Sequence, residues 1–349
     1  MLFLTEGLSR KGIACDMLCA ASSGKTRVTA LNSNAKLIAT HTWTKKAATM
    51  ISPAMITMLR KIANDYDIIH VHHPDPMACL ALMLSGYKGR VILHWHSDII
   101  KQKKFLKLYE PMQTWLLKRA DIIIGTSPVY LKESPCLKDY QEKCVALPIG
   151  IEPVKYDNDK GEAIKAQYGN KKIVFSVGRL VPYKGFRHLV RATKMLSDDY
   201  VVIIGGTGPL EDELKSLINN LELQDKVHLI GHVDDETLHS YYGACTLFCL
   251  PSVQKTEAFG IVQIEAMSCG RPVVTTRIPE SGVPWVNEHG VSGLNVEPAD
   301  SRQLADAIVR ITADESTYQH FRNGAMRRYL KVFTDEKMID DCIAIYNSK

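Results

Sequence analysis

The chain has no uninterrupted apolar run of the ~18 residues that a membrane-spanning helix needs. Its longest such run, around Met77 to Leu84, reads as a buried helix. A cleavable leader pattern is also lacking, so the expected compartment is the cytoplasm. There is no paired-cysteine framework: nine cysteines, an odd number at scattered positions, fit reduced thiols. Cys15 with Cys19, and Cys245 with Cys249, read as small buried side chains on apolar strands. No nucleic-acid motif or aromatic platform accompanies the positive charge, which argues against a nucleic-acid partner.

That charge is uneven. Residues 1–150 hold 20 Lys and Arg against 11 Asp and Glu, whereas the remainder holds 23 against 27. A basic first half fits contact with an anionic membrane surface, where each cation contributes about 1 kcal/mol. Lys101, Lys103, Lys104 and Lys107 are the densest cluster, and a solvated helix face accounts for them equally well.

At 349 residues the chain is long enough for two domains with separate cores. Alternating strand and helix signals predict parallel α/β sheets. Strands are expected near 13–20, 67–72, 90–96, 121–125 and 144–148, then near 172–178, 200–204, 226–230, 245–250, 272–275 and 293–296. The segment Pro148-Ile-Gly-Ile-Glu-Pro153 reads as a linker. It divides domain 1–150 from domain 151–330, and an amphipathic helix follows in 331–349. Two doubly wound, Rossmann-like domains facing a cleft, with ligand at the carboxyl ends of the strands, is the expected architecture.

The most informative stretch is Glu257-Ala-Phe-Gly-Ile-Val-Gln-Ile-Glu265. One acid lies in a loop after an apolar strand, and the other rides a helix opening near Gly260. The first amides of that helix, from Phe259 and Gly260 into Ile261, would cradle a diphosphate, and the acids would grip hydroxyls. A half-buried helix with incidental acids is the plainer alternative. Upstream, the strand Lys172–Gly178 breaks into Arg179-Leu-Val-Pro-Tyr-Lys184-Gly185, two cations on one turn. Gly205-Gly-Thr-Gly208-Pro209 follows the next strand and is expected to open a helix with Pro209 in its first turn. Val227-His-Leu-Ile-Gly231-His232-Val233 follows in turn.

Taken together and in this order, these motifs resemble the donor site of retaining GT-B glycosyltransferases, the "glycosyl transferases group 1" family. The resemblance covers nearly the whole chain, and Pro272–Thr276, Gly282–Val286 and Gly290–Leu294 extend it. It implies transfer of a hexose-type sugar from a UDP- or GDP-linked donor to a hydroxyl acceptor. A lipid-linked saccharide in surface-polysaccharide assembly is the expected acceptor, and no cofactor or metal is expected. Arg179 and Lys184 would hold the diphosphate, Glu265 the ribose, and Glu257 with His96 the sugar. Gly208 and Val233 would lie near the nucleotide, with the amides of Phe259, Gly260 and Ile261 at the phosphate or sugar edge. Cations fixed at the leaving diphosphate suit the chemistry, since charge builds on its oxygen in the transition state.

Histidine supplies a rival. Five of twelve lie in Asp67-Ile-Ile-His70-Val-His72-His73-Pro74 and Val91-Ile-Leu-His94-Trp-His96-Ser97-Asp98. Residues two apart on a strand share a face, so paired imidazoles with Asp75 or Asp98 would suit a zinc hydrolase. Further alternatives are an epimerase, a phosphorylase, or a donor-binding protein without turnover. Family members open with a strand and glycine-rich loop before the helix matched here by Met1–Gly12. A truncated sequence or misplaced start codon is therefore expected.

Overall fold

Runs of Val, Ile and Leu alternate with helices along the chain, and in the computed structural model they resolve into two units. The described residues are 1–22, 24–46, 49–99 and 103–348. One unit comprises Met1–Pro148 with Asp335–Lys349, and the other Ile149–Thr334.

Among the described residues, the strands of the first unit are β1 (Met17–Ala20), β2 (Arg27–Asn32), β3 (Ala35–Thr40), β4 (Thr44–Lys46), β5 (Thr49–Ile51), β6 (Ile68–His73), β7 (Arg90–Trp95), β8 (Ile122–Gly125) and β9 (Cys144–Ala146). β6, β7, β8 and β9 form a parallel sheet in chain order. β1 pairs parallel with β3, but β2 runs antiparallel to β3, and β4 with β5 forms a second antiparallel pair. The antiparallel pairs lie between residues 20 and 67, where the sequence pattern predicts no strand. β2 is exposed at nearly every position, so it carries no alternating apolar signal. β1 is also shorter than expected, beginning at Met17.

β1 and β6 end their respective sheets and border a cavity of about 570 Å³. The helix Asp335–Asn347 packs in this unit against the helix Leu2–Arg10, joining Ile339 and Cys342 to a core with Leu4, Leu8, Ile92 and Ile124. Of the basic cluster, Lys101 lies outside the described residues, and the helix Lys103–Arg119 begins just after it.

The second unit holds β10 (Lys172–Val177), β11 (Tyr200–Gly205), β12 (Val227–Gly231), β13 (Leu247–Leu250), β14 (Val273–Thr276) and β15 (Gly293–Val296). They form one parallel sheet in the order β12-β11-β10-β13-β14-β15. Both faces are covered, so the strands read as continuous apolar runs rather than alternating ones. On β11, Val202 and Ile204 enter one core while Val201 and Ile203 enter the other. The linker is tied back within this unit: Ile151 N donates to Phe333 O at 2.9 Å and Tyr329 Oη to Ile151 O at 2.9 Å.

Pro209 precedes the helix Glu211–Asn220 rather than sitting in its first turn, which carries Glu211, Asp212 and Glu213, a charge that suits the helix dipole. All nine cysteines are free. Among the described residues no helix is long and apolar enough to cross a membrane.

Candidate donor site

The strand order of the second unit reverses between β10 and β13, since the chain leaves β10 toward β11 and later returns to the opposite side. Loops after two such strands diverge and leave a crevice at their carboxyl ends, the usual ligand position in an open α/β sheet. Arg179 and Lys184 lie on the loop after β10. Glu257 and Gly260 lie on the loop after β13.

The two loops are stitched together. Val253 N donates to Tyr183 O at 2.8 Å. Gly185 has φ of +69°, and a Cβ there would fall 2.0 Å from Pro251 O. Only glycine permits that approach, which brings the turn Pro182–Lys184 against the end of β13. The result is a buried ion pair: Lys184 Nζ lies 2.6 Å from Glu257 Oε2, with both side chains about one-tenth exposed (12% and 11%). Ser252 Oγ donates to the same carboxylate oxygen at 2.9 Å, and Ser281 Oγ donates to Glu257 O at 2.5 Å. Arg179 stands exposed on the same loop, with no ion pair among the described residues.

Gly260 caps the helix Ile261–Ser268 with φ of +73°. A Cβ there would lie 2.6 Å from Leu250 Cδ2, so glycine is needed for conformation and for space. Ile261 is exposed at the helix start, while the Phe259 ring is buried edge-on to Phe333. Phe259 can therefore offer a ligand its backbone but not its ring. One turn further along the helix, Glu265 Oε2 accepts from Tyr242 Oη at 2.6 Å. Burial raises the carboxyl above its usual range, opposed by the Tyr242 bond.

The neighbouring loops are laced to this crevice by their backbones. Leu180 N donates to Thr207 O at 2.9 Å and Leu210 N to Leu180 O at 3.1 Å, holding Gly208 beside the Arg179 loop. Gly206 N donates to Gly231 O at 2.6 Å, bringing the Val233 loop alongside. Arg179, Lys184, Gly208, Val233, Glu257, Phe259, Gly260, Ile261 and Glu265 thus all belong to the carboxyl end of one sheet or to the helix leaving it. Sequence reading missed Ser252, Ser281 and Tyr242. Their partners are set by tertiary contacts up to 24 residues apart, with no local pattern to mark them.

His96 belongs to the first unit. It follows β7, its amide donates to His73 O at 3.1 Å, and its Nε2 lies 2.8 Å from His72 Nδ1. Burial holds its pKa down at about 4. The two acids of the hydrolase alternative are occupied elsewhere. Asp75 Oδ1 caps the helix Pro76–Ser85 through Met77 N and Ala78 N, and Asp98 Oδ1 accepts from Trp95 Nε1 and Ser134 Oγ. His73 stacks face to face on buried Trp95 at 3.7 Å.

Two Rossmann-like units with parallel sheets define the GT-B class of glycosyltransferase. The similarity of solved structures agrees. The sucrose-phosphate synthase of Thermosynechococcus elongatus superposes with a TM-score of 0.76 at 23% identity, over 98% of this chain and 90% of that one. The HepE protein of Anabaena, in complex with UDP, gives 0.74 at 22% identity, over 85% and 83%.

Residues 157–328 match "Glycosyl transferases group 1", and residues 1–153 match "Glycosyltransferase Family 4". The Escherichia coli O-antigen chain mannosyltransferase C is 32% identical over 347 residues, covering 99% of this chain and 92% of that protein. The Pseudomonas aeruginosa D-rhamnosyltransferase WbpZ is 31% identical over 291 residues, covering 82% and 75%. The chain belongs to the Glycosyl transferases group 1 family, and it is an enzyme of the hexosyltransferase type.

Proposed function

We propose that this glycosyltransferase moves a sugar, with retention and without a metal, from a UDP- or GDP-linked donor to a hydroxyl of a lipid-linked saccharide. The observation that carries the reading is the buried Lys184–Glu257 pair at the switch point, beside the opening of the Ile261–Ser268 helix. An ammonium and a carboxylate that neutralise each other can part when a donor arrives. Lys184 then meets the diphosphate with exposed Arg179, and Glu257, held by Ser252, meets sugar hydroxyls. Glu265 binds the ribose, His96 supports the sugar, and the amides of Phe259, Gly260 and Ile261 complete the anion site.

Cations preset at the leaving oxygen favour the transition state over the ground state, which is the part of binding that raises rate. A third of an ion pair worth about 4 kcal/mol corresponds to roughly tenfold in rate. The polysaccharide setting and a membrane-borne acceptor draw on the O-antigen relative and on the basic first half, which would rest peripherally on anionic lipid. The protein would act at the cytoplasmic face.

A thermal-shift series with UDP- and GDP-sugars tests the donor. A bound donor at 100 times its dissociation constant should stabilise by about 2.7 kcal/mol. Turnover should survive EDTA. Loss on chelation with rescue by zinc would favour hydrolysis, and formation of an epimer, or of sugar phosphate on adding phosphate, would contradict transfer.

A further inference from the structure

Four imidazoles lie along one face of β6 and β7. His70 and His72 are two residues apart on β6, His94 is the register partner of His72, and His96 follows β7. Their rings stack at centroid distances of 4.7 Å (His70 to His72), 5.0 Å (His72 to His94) and 4.2 Å (His94 to His96). Buried ring nitrogens ordinarily find partners. Here Nε2 of His70 and both nitrogens of His94 are buried and bonded to nothing among the described residues.

The partners that do exist have a definite arrangement. His70 Nδ1 bonds Tyr346 Oη at 2.8 Å, leaving Nε2 as the unpaired atom. One nitrogen from each of His70, His72 and His94 lies within 4.8 Å of the other two. Using one ring nitrogen for an orienting hydrogen bond while the other is left for an ion is how metal-binding histidines are held. Asp75 and Asp98 are engaged in capping and in the Trp95 contact, which leaves an all-imidazole set.

We propose that His70, His72 and His94 form a binding site for one divalent transition-metal ion of the zinc type, with Tyr346 orienting His70. Imidazole sets suit zinc, cobalt, nickel and copper rather than magnesium or calcium. Zn–N bonds of ~2.0–2.1 Å in a tetrahedral site require the rings to close up from their present spacing. The 570 Å³ cavity that His70 and His72 line gives room for this and leaves a fourth position open. The site lies on other residues than those assigned to the donor, so it stands whether or not turnover needs a metal.

Cobalt(II) titration of the full chain tests this. One ion per chain should bind, with the visible absorption of a four- or five-coordinate ion, and zinc should displace it. His70→Gln and His94→Gln should each weaken binding at least roughly tenfold, and Tyr346→Phe by about ten- to a hundredfold. His232→Gln, at an exposed position of the other unit, should change nothing. Because a glutamine variant could fail to fold, His94→Cys supplies a second reading: if that position binds the ion, a thiolate-to-cobalt charge-transfer band appears. No visible band, binding indifferent to His70→Gln and His94→Gln, or a folded His94→Cys protein without the new band would overturn the proposal.

Discussion

The second unit is built on one continuous parallel sheet, whereas the first divides its strands between β6-β7-β8-β9, β1-β3-β2 and the pair β4-β5. The continuous sheet has a single order reversal, and the candidate donor residues gather there. The divided unit places two terminal strands, β1 and β6, along a cavity and carries neutral histidines with unpaired nitrogens beside it. The second unit commits Lys184, Glu257, Ser252, Glu265 and Tyr242 to an ion pair and hydrogen bonds. The other keeps polar groups buried without partners, which is costly unless something binds them.

The sharpest way to separate the units is Arg179→Ala. Its side chain is exposed, so the fold should hold while turnover falls by about a hundred- to a thousandfold, the loss typical of one oxyanion-stabilising donor. Full activity in this variant, measured as transfer from donor to saccharide, would remove the donor-site assignment.

Glu257→Gln should have the next largest effect. It keeps the shape and the Ser252 contact but leaves Lys184 buried without a counter-charge, at a cost of about 3 kcal/mol. Denaturant unfolding should show that loss in the second unit together with reduced turnover. Unchanged stability would mean that the pair is better solvated than its burial indicates.

Acid should act on the first unit instead. Burial lowers the pKa of His70 and His73 to about 3, of His72 to about 2 and of His96 to about 4, and holds His94 well below its usual value. In the unfolded chain each titrates near 6.5, so below that pH the unfolded state binds more protons. The stability of this unit is therefore full above about pH 6.5 and declines as pH falls toward the folded values. The slope is about 1.4 kcal/mol per pH unit for each imidazole kept neutral. Hydrogen exchange at pH 5 should show β6 and β7 opening before β10 and β11. The reverse order would contradict the contrast between the units.

Legibility in the sequence follows the same division. Strands β10 to β15 are apolar on both faces, and their positions agree with the pattern read from sequence to within a few residues. β2 is exposed at nearly every position and β4 reads Thr-Lys-Lys, so neither stands apart from loop, whereas β3 is mostly buried but only six residues long. Glu257 and Glu265 were visible as acids flanking a helix start, but not their partners. Lys184 meets Glu257 across 73 residues of sequence, and the glycine that allows it, Gly185, is meaningful only once Pro251 is seen beside it. The histidine stretches were equally visible, yet the bond from Tyr346 to His70 depends on a helix 276 residues away.

The proposed donor position is the order reversal in the sheet of the second unit. Hydrogen exchange with saturating UDP or GDP tests it most directly. Amides in Gly178–Gly185, Gly206–Gly208 and Gly260–Glu265 should become protected, with β6 and β7 unchanged. Protection confined to the first unit, or absent from these three loops at saturation, would contradict it.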